Sequence, residues 1–114
     1  MTPFGAHLVY VVHQVREGES MERLSLIYNT SDPVIRALNG INATDVLWAD
    51  RVIVVLPGVV DPSGVQMRKP VYLENDSTVQ NLATLYDVTV GQMRADNDLG
   101  KDDFVPGKRW LVVP

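Results

Sequence analysis

The sequence predicts an α+β fold made of two small βααβ units, each a two-stranded antiparallel sheet covered by two short helices. The first observation is an internal repeat, because the chain matches itself when it is shifted by 58 positions. The second is the order of patterns in each repeat: an apolar run, two short segments with helical spacing, and another apolar run. The identical pairs include Leu24 and Leu82, Tyr28 and Tyr86, Arg36 and Arg94, Ala37 and Ala95, and Asn39 and Asn97.

The first strand and helix of the first repeat follow from residues 8–28. Residues 8–15 are apolar and rich in β-branched side chains, which predicts a strand. Gly18 marks the turn that follows. Ser20 suits a helix N-cap because its hydroxyl accepts from a free backbone N–H of the first turn. The apolar residues of this helix, at helical spacing, are Met21, Leu24, Ile27 and Tyr28.

A second helix and a second strand complete this repeat. Ser31 is the expected N-cap, and Pro33 fits the first turn, where a missing N–H costs little. Asn39 and Gly40 end the helix because both tolerate positive φ. Residues 52–56 are consecutive apolar residues, mostly β-branched, which predicts a buried strand. We expect the core to contain Leu24, Ile27, Tyr28, Ile35 and Leu38 with Val15, Ile53 and Val55.

The second repeat predicts the same elements in the same order. Residues 71–73 form its first strand, Thr78 and Thr89 cap its two helices, Asn97 ends the second helix, and residues 110–113 form the last strand. The face of its first helix consists of Val79, Leu82, Ala83, Leu85 and Tyr86.

The repeat also predicts domain boundaries. In the loop before the last strand we expect the repeat register to slip by one residue, so that 102–114 corresponds to 45–57. A segment with glycines and a proline joins the two copies and is expected to be a linker. The predicted boundaries are 1–9 for a lead-in, 10–57 for the first domain, 58–69 for the linker and 70–114 for the second domain.

Composition excludes several classes of function. The net charge is −4, and each half carries −2, which argues against a basic surface for nucleic acid. The chain has no cysteine, so disulfides, thiol chemistry and cysteine-based zinc sites are excluded. No apolar run approaches the roughly 20 residues that span a bilayer. The N-terminus lacks the pattern of a signal peptide, so we expect either a protein that stays inside the cell or a fragment of a longer one.

No arrangement of residues predicts an enzyme or a cofactor. His7 and His13 are the only histidines, and neither has a partner at the spacing of metal ligands. No nucleophile with a base, phosphate loop or pair of catalytic carboxylates is present in the sequence. We therefore expect no metal, no cofactor and no catalysis.

The ordered set of residue types resembles the lysin motif (LysM) domain. In the first repeat the resemblance is carried by Val15, Gly18, Glu19, Ser20, Met21, Leu24, Ser25, Tyr28, Thr30, Ser31, Ile35, Asn39 and Pro57. In the second it is carried by Leu73, Asp76, Ser77, Thr78, Val79, Leu82, Ala83, Tyr86, Val88, Thr89, Met93, Asn97, Gly107 and Pro114. The resemblance implies a βααβ fold and non-catalytic binding of glycans that contain N-acetylglucosamine, such as bacterial peptidoglycan or chitin-type oligosaccharides.

The resemblance also implies where the sugar binds, namely between the loop after the first strand and the loop before the last. In the first repeat the implied residues are Gly18, Glu19, Ser20, Met21, Asn39, Gly40, Ile41 and Asn42. In the second they are Asp76, Ser77, Thr78, Val79, Asn97, Asp98, Leu99 and Gly100. Backbone groups of two facing loops suit the polar groups of an N-acetyl sugar, and Met21 or Ile41 suits its methyl group.

Two departures from the family pattern leave an alternative open. The second repeat has Asp76 where the family has a glycine, and the first has Asp50 where the family has a glycine before the last strand. The leading hypothesis is a module that anchors a fused or associated catalytic domain to the cell wall, in the envelope or outside a bacterium. The alternative is a structural or protein-interaction module with degenerate sugar grooves. Asn39 and Asn97 are also open between binding sugar and bracing their loops, and Trp48 between stacking on sugar and joining the repeats.

Overall fold

The computed structural model describes residues 9–114, in which ten short elements follow one another. Of the predicted lead-in, only Val9 lies among the described residues, and the predicted start of the first strand at Leu8 lies outside them. The first unit contains β1 (Val11–Gln14), α1 (Met21–Ile27), α2 (Asp32–Asn39) and β2 (Val52–Val55). The second unit contains β3 (Lys69–Leu73), β4 (Ser77–Thr78), α3 (Val79–Leu85), α4 (Val90–Asn97), β5 (Phe104–Val105) and β6 (Arg109–Val113).

The predicted α+β class is confirmed: each unit has an antiparallel sheet made of its first and last strands, with two short helices packed on it. β1 pairs with β2, and β3 pairs with β6. All four expected N-caps are present, and each hydroxyl accepts from the backbone N–H three residues on. These side chains satisfy donors that a short helix otherwise leaves free, so the polar sequence around each helix fixes where it begins. The four capping residues are Ser20, Ser31, Thr78 and Thr89.

The helix α1 buries a narrower face than the sequence predicts. Leu24 is fully buried and Tyr28 is half-buried, as expected, but Ile27 is 56% exposed and therefore lies outside the core. Leu85, the equivalent residue of α3, is 70% exposed and corrects the same prediction in the second unit. Each helical residue advances about 100° around the axis, so these two side chains sit at the rim of the apolar stripe and a two-stranded sheet is too narrow to cover them.

The second unit contains a third small sheet that the sequence pattern did not predict. β4 pairs with β5 so that Ser77 lies opposite Val105 and Thr78 lies opposite Phe104. This pair joins the loop before α3 to the loop after α4. The strand β3 also begins at Lys69, two residues earlier than expected, and so takes in the end of the predicted linker.

The paired strands keep the repeat offset of 58, so the one-residue slip expected for the last strand is wrong. The sheet register pairs Val12 with Val54 in the first unit and Pro70 with Val112 in the second, and both members differ by 58. Two half-buried asparagines show that the loops have equal length. The side chain of Asn39 bonds the backbone N–H and C=O of Val54, and that of Asn97 bonds both groups of Val112.

The two units pack through an apolar cluster that combines sheet residues with Leu38 of α2. Because side chains alternate along a strand, Ile53 points toward the helices of its unit and Val54 points away from them. Val54 and its repeat equivalent Val112 are both buried in one cluster with Leu38 and Leu56. The two cores inside the units are thus joined by a third apolar cluster between them.

Two positions that hold Tyr10 and Leu38 in the first unit hold an ion pair in the second unit. In the first unit Tyr10 and Leu38 both belong to the shared cluster. Their equivalents 58 residues later are Arg68 and Asp96, whose side chains are 8% and 6% exposed and whose Nε and Oδ2 lie 3.0 Å apart. The guanidinium carbon of Arg68 also lies 5.6 Å from the centre of the Tyr10 ring.

The segment between the units is fastened to the first unit at both ends. The hydroxyls of Thr30 and Ser31 donate to the backbone carbonyls of Val59 and Val60, each at 2.6 Å. Near its other end, the backbone N–H of Arg68 donates to the carbonyl of Leu38 at 2.7 Å. These bonds hold the connection against α2.

Candidate functional site

A groove in the first unit lies between the loop that enters α1 and the loop that leads to β2. Its volume is about 290 Å³. One wall contains residues 19–22 and the other contains residues 45–47, with Arg36 of α2 between them. The predicted site residues Glu19, Ser20 and Met21 therefore lie at this groove, and the groove opens between the two loops that the sequence pointed to.

The first wall is held by a chain of side-chain hydrogen bonds. Glu19 Oε1 accepts from the backbone N–H of Arg16 at 2.6 Å and lies 2.9 Å from His13 Nε2. His13 Nδ1 lies 2.8 Å from the hydroxyl oxygen of Tyr28. With its proton on Nε2, His13 donates to Glu19 and accepts from Tyr28. The strand, the loop and the end of α1 are thereby joined.

This network affects the acidity of its members. The hydrogen bond from the Arg16 N–H, and then the one from His13, stabilise the carboxylate and lower the pKa of Glu19 below its ordinary value of 4.5. Burial raises the pKa of Tyr28 above 10.0. Glu19 is therefore a carboxylate, and Tyr28 a neutral phenol, at neutral pH.

The second wall is held by Arg36. Its guanidinium donates to the backbone carbonyl of Asn42, to that of Asp45 at 2.9 Å, and to the carboxylate of Asp32. Arg94 does the same in the second unit, where it donates to the carbonyls of Gly100 and Asp102. Sequence reasoning did not assign this role, although the identity of the two arginines across the repeat was the available signal.

The predicted residues 39–42 are placed differently from one another. Asn39 has its side-chain amide bonded to the carbonyl of Ile35 and to both backbone groups of Val54, so it braces the strand. Gly40 has φ of +64° and lies against Met67, whose sulfur would be 2.7 Å from an added Cβ. Ile41 is 6% exposed and belongs to the first core.

Gly18 and Met21 support the groove of the first unit from below and beside it. Gly18 has φ of +84° and open space around it, which suits the turn that carries the first wall. Met21 is 7% exposed, so most of its side chain packs in the core beneath the groove. The apolar side chain offered at the rim is instead Val46, which is 76% exposed and was not predicted.

In the second unit the equivalent loops are paired with each other. The β4–β5 ladder occupies the backbone of Ser77 and Thr78, which correspond to Glu19 and Ser20. The carbonyl of Asp103 also accepts from the N–H of Val79 at 2.8 Å, so the start of α3 is capped by the opposite loop. No such ladder joins the two loops of the first unit within residues 9–114.

The remaining predicted residues of the second unit also have structural partners. Asp76 Oδ1 accepts from the backbone N–H of Gly107 at 2.7 Å. Asn97 braces β6, and Asp98 adopts φ of +51° as the C-cap of α4. Asp98 and Leu99 line a separate cleft of about 360 Å³ beside Arg94. Gly100 contributes its carbonyl to that arginine, as described above.

Comparison with known proteins identifies the first of these two units. The family model described as LysM domain matches residues 13–56. A LysM domain is found at residues 13–56. LysM is a module that binds peptidoglycan and other glycans containing N-acetylglucosamine, and it is not catalytic.

Other comparisons add less. The crystal structure of the spore cortex-lytic enzyme SleL of Bacillus cereus is similar to this chain, with 20% sequence identity and a TM-score of 0.40. The match covers 92% of this chain and 22% of that one, so the chain spans about a fifth of that enzyme's length. No protein of curated function matches the chain.

Two tryptophans outside the groove of the first unit make ring contacts with neighbouring side chains. Trp48 is 56% exposed, and the guanidinium carbon of Arg51 lies 4.5 Å from the centre of its ring. Trp110 is 42% exposed and meets Tyr72 across the β3–β6 sheet in an edge-to-face contact with ring centres 5.3 Å apart. Trp110 thus packs on one side only.

Two kinds of site are missing from the part of the chain that the structure describes. Within residues 9–114, no three histidine, aspartate or glutamate side chains come together in a way that would hold a metal ion. No helix in the same range has the length and apolar character needed to cross a bilayer.

Proposed function

We propose that the LysM domain at residues 13–56 binds glycans containing N-acetylglucosamine, either peptidoglycan or chitin-type oligosaccharides, in the groove between residues 19–22 and 45–47. The role is non-catalytic. The observation that supports it is the open groove, lined by the polar residues Glu19, Ser20, Glu22 and Asp45 and with exposed Val46 at its rim. Such a surface suits a sugar, which offers hydroxyls, an amide and one methyl group.

The proposal narrows the set of residues implied by the family. Glu19 and Ser20 line the groove directly, and Met21 lines it while its side chain packs below. Gly18 shapes the turn before them. Residues 39–42 contribute through the geometry of their loop, because the Asn39 amide is already bonded to strand β2.

We further propose that the two units are a tandem LysM repeat, with domains at 10–57 and 70–114 and a linker at 58–69. The offset of 58 between the paired strands, the equivalent Asn–strand bonds and the similar arginine clamps support this proposal. Residues 76–79 and 97–100 hold the corresponding positions in the second unit, and their binding of sugar stays a prediction that the titration below tests.

For the second unit, a specific observation favours a structural role as the second candidate function. Its two loops are joined by the β4–β5 ladder and by the bond from the Val79 N–H to the carbonyl of Asp103, whereas no ladder joins the equivalent loops of the first unit within residues 9–114. This favours a structural role, in which the second unit supports the first through the shared apolar cluster.

The biological setting follows from glycan binding. A module of this kind holds a fused or associated catalytic domain at the cell wall, so we place the protein in the envelope or outside a bacterium. One shallow site binds weakly, and several tethered sites on one polymer bind more tightly through effective concentration.

The test is an NMR titration of the ¹⁵N-labelled chain with N-acetylglucosamine oligomers and soluble peptidoglycan fragments. We expect chemical-shift changes confined to residues 19–22 and 45–47. Val46→Ser removes an exposed apolar side chain and should weaken binding about fivefold, the equivalent of roughly 1 kcal/mol. Phe104→Ser is the matched control in the second unit, where Phe104 is 60% exposed, and it should leave binding unchanged.

Each other outcome has a defined meaning. Shifts at residues 76–79 and 97–100 instead would move the site to the second unit and reject the structural role. No shift at millimolar glycan would reject glycan binding altogether and leave the fold as a scaffold for protein partners.

A further inference from the structure

The outer edge of strand β1 has backbone groups that no described residue uses. Val54, which lies opposite Val12, turns its N–H and C=O toward Asn39 and therefore away from β1. In an antiparallel ladder this makes Val12–Val54 a pair without mutual hydrogen bonds, so the groups of Val12 also point outward. Gln14 has the same orientation, since the intervening His13 and the following Val15 face β2.

The four outward groups are the N–H and C=O of Val12 and of Gln14. Among residues 9–114, none donates to them or accepts from them. At the outer edge of β2, by contrast, the Asn39 side chain already bonds the N–H and C=O of Val54. The outward groups of Val54 are therefore occupied, whereas those of Val12 are not.

The second unit blocks the equivalent edge. The residue that corresponds to Val12 is Pro70, which pairs with Val112 in the same register and has no N–H to offer. Its neighbour is Lys69, and lysine and proline are the residues with which proteins commonly protect a sheet edge from further pairing. The two copies thus differ at the position that decides whether another strand can add.

The open edge also borders a cleft. This cleft has a volume of about 440 Å³ and is lined by the consecutive residues 12–17 together with Asp50. Its lining includes two acidic residues, Glu17 and Asp50, and one arginine, Arg16. A chain lying along this edge meets a surface with a net negative charge.

We propose that the outer edge of β1 is a docking site for an extended polypeptide segment with basic side chains, which adds to the sheet as a third strand. Its backbone pairs with the N–H and C=O groups of Val12 and Gln14, and its basic side chains lie near Glu17 and Asp50. The site is separate from the sugar groove, so a protein partner and a glycan can bind together.

The test uses the full chain and a synthetic peptide of alternating valine and lysine with blocked ends. On addition of the peptide, the backbone amides of Val12 and Gln14 should exchange with solvent about tenfold more slowly, because each gains an acceptor. A peptide with glutamate in place of lysine should bind at least severalfold more weakly, since it meets like charges.

The matched variant is Val12→Pro, which gives β1 the residue that β3 already carries at this position. It should fold as the parent does, because Pro70 is accommodated in the same register, and it should weaken peptide binding about tenfold or more. Gln14→Pro removes the second outward N–H at an exposed residue and should act in the same way. Neither variant touches the sugar groove, so glycan shifts should persist in both.

Three results would overturn the proposal. One is unchanged exchange at Val12 and Gln14 with millimolar peptide. Another is equal peptide binding by the parent and both proline variants, which would mean that the contact is not strand addition. The third is protection of the same amides that grows with protein concentration in the absence of peptide, which would make a second copy of the chain the occupant.

Discussion

The buried pair Arg68–Asp96 allows a sharp test of how the two units hold together. Replacing Asp96 by leucine removes the carboxylate and leaves the guanidinium of Arg68, which is 8% exposed, without its ionic partner. Removing one member of a buried ion pair costs about 3 kcal/mol or more, whereas replacing both members by apolar residues is often neutral or stabilising. The first unit supplies the replacement, because the equivalent positions hold Tyr10 and Leu38.

We therefore expect Asp96→Leu to lower the free energy of unfolding by about 3 kcal/mol, which is a more than hundredfold change in the folding equilibrium. The double variant with Arg68→Tyr should return to within about 1 kcal/mol of the parent protein. Equilibrium unfolding in urea, followed by circular dichroism and by tryptophan fluorescence, measures both values.

Two results would contradict this expectation. If Asp96→Leu alone changes stability by less than about 0.5 kcal/mol, the pair is not the buried contact described, because that is the range of ordinary surface substitutions. If the double variant is as unstable as the single one, the two positions are not interchangeable with Tyr10 and Leu38, and the proposed equivalence of the two faces is wrong.

Three further predictions concern single residues. Asn39→Ala should lower the unfolding free energy by about 2–3 kcal/mol, because it leaves both bonded backbone groups of β2 without a partner, and urea unfolding measures this. Gly107→Ala should lower the melting temperature far more than Gly100→Ala, since an added Cβ would lie 2.6 Å from the backbone carbon of Asn75 at the first site and meet nothing at the second; equal effects would contradict this contact. The fold lowers the pKa of Glu19, so its contribution to stability is present above the ordinary value of 4.5 and is lost as the pH falls through the lower folded value. Glu19→Gln should therefore make the free energy of unfolding, measured by urea unfolding at a series of pH values, less dependent on pH on the acid side. A pH dependence identical to that of the parent protein would refute this.

Much of the fold was predictable because it depends on signals only a few residues long. The helix starts at Ser20, Ser31, Thr78 and Thr89 were correct, since a cap depends on one hydroxyl and the next turn of backbone. The pairing of the outer strands also followed from their apolar runs. The exposure of Ile27 was not predictable from spacing, because helical periodicity does not state how wide the covering sheet is.

The site was predictable only in part, for a similar reason. The resemblance led to Glu19, Ser20 and Met21, which lie in sequence beside a recognisable helix cap. It did not lead to residues 45–47, because the loop that carries them is irregular and is positioned by Arg36 through backbone carbonyls. Every residue has a backbone carbonyl, so the sequence does not show which carbonyls Arg36 will bond, and the position of the wall at residues 45–47 was not predicted.

By itself, then, the sequence determined the class of the fold, the starts of the four helices and the family resemblance of the first unit. These depend on residue types and on local spacing. Only the tertiary structure decided that the repeat offset stays at 58, that the loops of the second unit are paired while the groove of the first is open, and that one edge of β1 is unpaired. Each of these features depends on which backbone groups form hydrogen bonds between distant parts of the chain. The pattern of side chains along the sequence does not specify those bonds.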